Sequence, residues 1–501
     1  MSYMGLDVGQ TGCKAVIFDQ EGNKRSQSYR EYKTLIPAEG WAEIDSDKVR
    51  NSCLSVMKEA QSACPEDPVD GLSISSMGEA FTPVAGDGSC LGNAMIASDT
   101  RAQEIAEVWS HRFGVDKLYQ LTGHTAHPMF SLFKLLWFRD TMPDVWKKTE
   151  KFLCFEDFMQ HVLGLEPHIA WSLAGRTMMF NVKSHGWDPE ILDAVGIDPQ
   201  QLAIPTPSGE KVGSIQKDVA KSLGFSRGAI VTAGGHDQPM GALGAGVINP
   251  GMAMYATGTS ECITPAFQEP VMSEALMQNN LCTYDYTIPG MYTTVSFSLT
   301  GGNILRWFRD EWGRMELLEA KRQGTDAYTL LLSQIGSSPS GLLVLPYFTP
   351  SGTPYFETEL PGAIFGLRLS TKREQVLRAL LEGVAFEMRL NMDILNRSGI
   401  QIKELRPIGG GAKSSVWVQL KADVLNTPMT TVQVTEAASL AGAMLACSAQ
   451  TGEPVQSIVK RWVKTGDVIE PNRENAIFYG EQFGRYKKLY PSLKNMMRGG
   501  S

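Results

Sequence analysis

Apolar residues near the start of the chain come in short runs broken by glycine, not at helical spacing. "YMGLDVG" (3–9) is largely apolar until Gly9, "KAVIFD" (14–19) follows a tight Gly-rich turn, and Glu21-Gly22-Asn23 reverses the chain into "RSQSYREYK" (25–33). Runs of this length joined by close turns predict a β-meander. The period then changes. From Asp45, an N-capping residue type, Val49, Cys53, Val56 and Ala60 recur at helical spacing, which predicts a helix on one sheet face. "GLSISS" from Gly71 and "GAIVTAGG" from Gly228 read as further buried strands. Each ends in polar residues or glycine, where open α/β sheets place their chemistry.

The second half restarts this pattern. "GMAMYATGTS" from Gly251 is again an apolar run that breaks into Gly, Thr and Ser. Two long helices are predicted beyond it, one with Leu377, Leu381, Val384, Met388 and Leu395 on a single face, the other from Ser414 to about Asn426. "EAASLAGAMLACSA" (436–449) is helical and rich in small residues, a pattern for close helix packing. The likeness of the halves is architectural, since their sequences are too different to read as a repeat. "GAGVINPG" (244–251) has the composition of a hinge. It divides the chain into domains 1–248 and 249–490, followed by a basic tail, 491–501, whose final RGGS carries no functional argument.

Composition narrows the class. A chain of 501 residues, 43% hydrophobic and 20% charged, is too long for one ordinary core and matches a soluble two-domain protein. A formal net charge of -8 with no long basic run argues against nucleic acid as a partner. No segment has the apolar length of a membrane span or a signal peptide, and eight scattered cysteines without C-x-x-C spacing fit reduced thiols in a cytoplasm. His124 and His127 in "HTAH" could share a helix face around a metal, but no second cluster completes a coordination sphere.

Three small-residue turns are candidates for holding phosphate. In "GLDVGQTGCKA" (5–15), Gly9 and Gly12 can turn backbone N–H groups toward one point, with Thr11 and Lys14 adding a hydroxyl and a positive charge. A simple tight β-turn remains the alternative for this stretch taken alone. Asp7, at its mouth, suits a Mg²⁺ ion or its water. "YATGTSECIT" (255–264) and "LTGGN" (299–303) repeat the idea with Gly258, Thr259, Ser260 and Gly302. "IGGGAKSSVWVQLKADVLNTP" (408–428) puts glycines directly before a helix, where a flat ring can approach the backbone and the helix start favours negative charge. It is not a P-loop, because Ala412 precedes Lys413, and neither G-x-G-x-x-G nor G-x-S-x-G occurs. The carboxylates best placed for chemistry are Asp7, Glu79, Asp99 and Asp237. Glu79 and Asp99, with Arg101 nearby, suit hydrogen bonds to the hydroxyls of a sugar or polyol, with capping and surface ion pairing as the ordinary alternatives.

In order along the chain, "DVGQTGCKAVIFDQEGN", "SDTRA", "SLAGRTMMFN", "GGHDQPMGALGAG", "GTS", "TGGNILRWF", "GGGAKSSVWVQLKADVLNTPM" and "EAASLAGAMLA" resemble the FGGY family of carbohydrate kinases, within the actin-like, ribonuclease-H-like ATPases. The resemblance implies an α/β fold of two actin-like domains, each a mixed sheet flanked by helices, with a cleft between them for ATP and a sugar or polyol. It implies that Asp237 is the catalytic base and metal partner, that Asp7 is metal-associated, and that Gln238 and Glu79 bind substrate alongside Asp99 and Arg101. Thr11, Lys14, Thr259, Gly302, Gly410 and Gly411 fall at its nucleotide positions, and the cofactors it implies are ATP and Mg²⁺. The expected function is ATP-dependent phosphorylation of a hydroxyl on a small sugar, ketose or polyol. A non-catalytic, nucleotide-dependent binding or regulatory protein on the same scaffold is the alternative. A homodimer is kept open as its assembly.

The chain departs from the family pattern in four places. Gln10 replaces threonine in the first phosphate turn, Ala97 stands where tryptophan commonly precedes D-x-R, and Asn181 replaces an aspartate. Met77-Gly78-Glu79 stands in place of a xylulokinase Gln-Met-His, which favours a substrate other than xylulose. His236 has no role in this reading.

Overall fold

The expected meander is the core of the first sheet. Ser2–Val8 (β1), Gly12–Phe18 (β2) and Lys24–Glu31 (β3) pair antiparallel in sequence order. Val69–Ser76 (β4) lies parallel to β1 on its other side. Lys211–Ser214 (β5) and Ile230–His236 (β6) complete the order β3-β2-β1-β4-β6-β5, with β6 parallel to β4 and β5 antiparallel at the edge. The computed structural model describes residues 1–357 and 360–497.

The second sheet repeats this plan. Met252–Thr257 (β7) and Glu261–Phe267 (β8) form the antiparallel hairpin, flanked by Tyr284–Asp285 (β9), Tyr292–Thr293 (β10) and Ser296–Ser298 (β11). Glu404–Gly409 (β12) and Met429–Val432 (β13) run parallel to β7, and Thr465–Ile469 (β14) closes the edge antiparallel. From β10 through β8, β7, β12 and β13 to β14, order and direction match those from β3 to β5. Strand order and direction depend on which segments pair and not on side-chain identity, so the likeness of the halves shows in topology and not in sequence.

Helices cover both sheets. Ser46–Ser62 (α1) is capped by the Asp45 carboxylate, which accepts from the Lys48 N–H at 2.9 Å, and it buries Val49, Cys53, Val56 and Ala60 as expected. Ser131–Thr141 (α2), Phe155–Val162 (α3), Trp171–Gly175 (α4) and Asp237–Gly244 (α5) carry the remaining first-half residues that matter to the site. In the second half stand Gly302–Trp312 (α6), Arg373–Arg397 (α7), Ser415–Leu425 (α8), Ala437–Thr451 (α9) and Arg473–Met497 (α10). Ser414 caps α8, and Asn426 ends it in a left-handed conformation. Helix α10 continues past Tyr490 into the stretch set apart as a tail, and its RGGS end, 498–501, lies outside the described residues.

The small-residue helix α9 leaves its own half and packs on β1, β4 and α5. The approach is so close that a Cβ on Gly5 would sit 1.8 Å from the Ser439 carbonyl oxygen, and one on Gly244 would sit 1.9 Å from that of Ala437. The two halves therefore share a core, in which Tyr3 and Phe18 of the first sheet meet Met254 of the second, Leu440, Met444 and Trp462. All eight cysteines are free thiols. Among the described residues no helix is long and apolar enough to cross a membrane.

Candidate active site

The site is built on the end of β6. Pairing with β4 slips between Thr232 and Gly235, and the Gly234 N–H leaves the ladder to donate to Oε1 of Glu156 on α3 at 2.7 Å. The second Glu156 oxygen accepts from the Ala170 N–H at 3.2 Å. Burial pushes this carboxyl up to about 8. A Cβ at residue 234 would lie 1.9 Å from the Ile74 carbonyl oxygen, so only glycine fits the bulge. The irregular strand end carries His236, and Asp237 follows as the first residue of α5.

The Asp237 side chain is 34% exposed at the mouth of a cavity. Burial of the site, then the charges of Asp7 and Glu79, push its carboxyl up to about 7 against the opposing pull of Arg176 and the Gln238 N–H. His236 sits beside it, Nε2 at 3.1 Å from Oδ1 of Asp237 and Nδ1 at 3.0 Å from the Tyr284 hydroxyl. Burial, with Arg176 and His124 close by, holds His236 well below its ordinary value, and Tyr284 is pushed well above its own. When Asp237 is ionised, a neutral imidazole and a protonated phenol leave one arrangement: the Tyr284 O–H donates to Nδ1, and Nε2–H donates to the Asp237 carboxylate.

The first phosphate-turn candidate lies at the end of β1. The Gly9 N–H donates to Gly12 O at 3.0 Å, and Thr11, exposed at the tip, accepts from the Tyr32 N–H at 3.1 Å through its carbonyl. Asp7 Oδ1 accepts from the Ser75 hydroxyl at 2.9 Å, and burial pushes the carboxyl up to about 6. Lys14 faces Glu436 across the two halves, Nζ to Oε2 at 2.6 Å. Gln10 lines the sugar-sized cavity and donates to Ser98 at 3.4 Å.

That cavity, about 230 Å³, brings Glu79, Gln238 and Asp237 together. Glu79 adopts φ 65°, a left-handed conformation unusual for a non-glycine residue, and such strain persists only where the surroundings hold it. Here they do: Arg176 Nε donates to Oε1 at 2.6 Å, while Ser131 and Lys134 of α2 donate to the Glu79 carbonyl at 2.9 and 3.3 Å. His124, His127, Phe297 and Phe356 supply other walls. His124 and His127 lie in the loop 123–130, not on a helix, and the described residues contain no cluster of three or more metal-ligating side chains.

Asp99 and Arg101 are not among the lining residues of this cavity. The Asp99 carboxylate accepts from the Ala42 N–H at 2.7 Å and from Arg101 Nε at 2.9 Å. The Arg101 guanidinium also binds Glu43 at 2.7 Å and lies against the edge-to-face Trp41–Trp137 pair, 3.8 and 4.9 Å from their ring centres. The neighbouring Ala97 does line the cavity, so its small side chain opens space there. Asn181 is set apart, in a turn where it accepts from Lys183 and Ser184 N–H and donates to Asp188.

A second cavity, about 620 Å³, is bordered by Thr259, Gly302, Gly410 and Gly411, with Tyr328 and Trp417 as aromatic walls. Four of the six expected nucleotide residues thus meet at one place. Thr11 and Lys14 are not part of its lining. A Cβ on Gly302 would fall 2.5 Å from the Gly258 carbonyl oxygen, so the turn before α6 closes on the β7–β8 turn. Beneath it lies a group that spacing did not reveal. Lys421 of α8 is buried, ion-paired to Glu261 at 2.6 Å, hydrogen-bonded to Thr257, and 4.4 and 4.6 Å from the Tyr255 and Trp417 ring centres. Arg176, Lys421, Tyr284 and Phe356 were missed because each gains its place from a distant segment. The one available signal was "GRTMMF", a basic residue inside a small and apolar stretch.

Two family models match in series. The N-terminal domain of the FGGY family of carbohydrate kinases matches residues 2–244, and its C-terminal domain matches 253–450. A xylulose kinase of Staphylococcus epidermidis is 28% identical, covering 98% of this chain and 97% of its own length. A gluconokinase of Bacillus licheniformis is 26% identical, with 99% and 96% covered. Among solved structures, one titled as a xyloylose kinase from Brucella ovis superposes with a TM-score of 0.89 at 25% identity, covering 99% of this chain and all of that one.

Proposed function

This chain belongs to the FGGY family of carbohydrate kinases, which transfer a phosphoryl group from ATP to a sugar hydroxyl, and from that premise we propose that Asp237 is its catalytic base. The observation that carries the reading is a part-exposed carboxylate, shifted up to about 7, on the wall of a small cavity that also presents Glu79 and Gln238. A base of that strength is matched to neutral pH. The substrate is a small sugar, ketose or polyol in contact with Glu79 and Gln238, while Asp99 and Arg101 brace the segment that carries Ala97. Relatives named for a ketose and for an aldonate match at similar identity, so likeness alone does not choose between them.

In the transfer, Asp237 takes the proton of the attacking hydroxyl as its oxygen bonds to the γ-phosphorus. The bond to the β,γ-bridging oxygen breaks, and its electron pair leaves with ADP. Thr259, Gly302, Gly410 and Gly411 hold the nucleotide, where glycines let backbone and phosphate come close. Thr11 and Lys14 extend the phosphate site from the first half, with Lys14 exchanging part of its Glu436 contact. Such catalysis is mainly positioning and charge neutralisation.

The residues fit a magnesium ion. Asp7 and Asp237 are carboxylates close enough for the charge of Asp7 to raise Asp237, and the nearest ammonium, Lys14, already has Glu436. With no third acidic or imidazole ligand grouped with them among the described residues, Asp7 and Asp237 would share the ion with waters and phosphate oxygens. When bound, the ion would neutralise phosphate charge. The break between residues 244 and 253 in the family matches supports domains 1–248 and 249–490. Eight free thiols support a cytoplasmic setting.

The test is coupled ADP release across pentuloses, hexuloses, glycerol, erythritol and aldonates, on the parent protein and on Asp237→Asn. The variant should lose roughly 10² to 10⁴ in kcat. Full turnover by the variant would overturn the assignment.

A further inference from the structure

Hydrogen-bond supply on the cavity wall is lopsided. His124 is buried, its Nδ1 lies 2.8 Å from the Thr122 carbonyl, and its Nε2 has no protein partner. A carbonyl can only accept, so Nδ1 carries the proton and Nε2 presents a bare lone pair. Gln238 Oε1 is a second acceptor without a partner, and the carboxylates of Asp237 and Glu79 add more. Leaving a buried acceptor unsatisfied is costly, so the wall is arranged for a ligand that brings donors.

Charge points the same way. Arg176 is the one guanidinium or ammonium group lining the cavity among the described residues, and it is ion-paired to Glu79 while lying 4.9 Å from the Phe130 ring centre. Lys134 is turned into the protein, onto the carbonyls of Glu79 and Met95. With that one arginine cancelled by one glutamate, the cavity offers no net positive charge. Burial and nearby cations also hold His124 and His127 neutral, at about 3 and about 4. A carboxylate or phosphate on the substrate would meet unpartnered lone pairs with no free side-chain cation on the wall to answer it.

We propose that this cavity selects an uncharged, hydroxyl-rich substrate of monosaccharide size over aldonates and sugar phosphates, with His124 accepting one of its hydroxyls. The inference rests on the sugar-kinase reading of the same site. His127 complements it: Nδ1 accepts from the Met129 N–H at 3.2 Å, which leaves Nε2–H to donate to a sugar oxygen. Phe297 and Phe356, 5.5 Å apart between ring centres, give the C–H face of the chain an apolar wall. A volume of about 230 Å³ is below the range of pockets for drug-sized ligands, which suits one short sugar or polyol.

Matched pairs that differ only in oxidation of a terminal carbon isolate the charge: sorbitol against gluconate, and xylitol against xylonate. Coupled ADP release and calorimetric binding are measured for each. The neutral member should lead by at least about tenfold in kcat/KM or in Kd, the equivalent of 1.4 kcal/mol or more. Equal or better use of the acids would overturn the proposal while leaving the kinase intact. If no compound is turned over, the kinase reading fails, and the calorimetric ratio still decides the charge selection. His124→Phe keeps an aromatic ring between Phe130 and Tyr284 but removes the lone pair. It should raise KM for the best neutral substrate about tenfold at unchanged KM for ATP, with His124→Gln recovering part. An unchanged sugar KM in His124→Phe removes His124 from the binding set.

Discussion

Nε2 of His236 lies 3.1 Å from Oδ1 of Asp237, and it can donate there because the Tyr284 hydroxyl occupies the other ring nitrogen. Asp237 is thus aimed by a neutral donor fixed in one tautomer, with the glycine bulge behind it. The consequence is a positioning role for His236. His236→Ala should lower kcat about tenfold with KM for ATP unchanged, and Tyr284→Phe should lower it by less, since the imidazole stays in place. Steady-state kinetics on both variants check this, and a kcat loss in Tyr284→Phe exceeding that in His236→Ala would contradict it.

The Lys421–Glu261 pair is buried under the cavity proposed for the nucleotide, where neither charge has water to fall back on. Removing one partner strands the other, at a cost of about 3–5 kcal/mol, whereas replacing both with apolar residues is far milder. Lys421→Met should therefore destabilise strongly in urea titration, and Lys421→Met with Glu261→Leu should recover most of the loss. Because Lys421 also steadies the wall residues Thr257 and Trp417, the double variant should still bind ATP more weakly than the parent. Equal denaturation midpoints for single and double variants would rule this account out.

How far the sequence led follows from where each contact comes from. The β1–β3 meander, α1 with its Asp45 cap and the clean face of α7 were legible because period and capping are local properties. Thr259, Gly302, Gly410 and Gly411 were legible one turn at a time, and folding only had to bring the turns together. Arg176 on Glu79 and Lys421 on Glu261 were not, since each pair joins segments about a hundred residues or more apart. D-x-R illustrates the middle case: Asp99 and Arg101 were visible as a motif, but Trp41 and Trp137, whose rings cover the Arg101 guanidinium, come from elsewhere.

The small-residue helix gives a steric prediction. Since a Cβ on Gly5 would overlap the Ser439 carbonyl, and Ser439 belongs to a helix wedged between β1 and α5, the backbone has nowhere to retreat. Gly5→Ala should cost at least the roughly 1–3 kcal/mol of an overpacked core, visible as a lower Tm and soluble yield. Gly484→Ala in α10, where a Cβ meets nothing within 4 Å, should be neutral or stabilising by comparison. A Tm equal to the parent's for Gly5→Ala would mean that α9 is not seated on β1.

Glu387 of α7 supplies a pH signature remote from the site. It is buried, accepts from the hydroxyls of Tyr486 and Tyr347, and is nonetheless pushed up to about 7 because burial outweighs those hydrogen bonds. Its folded value lies above the unfolded one, near 4.5, so the folded state holds the extra proton between those two pH values. Stability from this group is complete below about pH 4.5 and declines as pH rises through 7. Glu387→Gln removes the titration and keeps the shape. The variant should match the parent near pH 5 and gain on it by up to roughly 3 kcal/mol at pH 8, as read from urea unfolding at both values. A stability difference that stays constant from pH 5 to 8 would show that Glu387 remains ionised in the folded protein and that its tyrosine partners outweigh its burial.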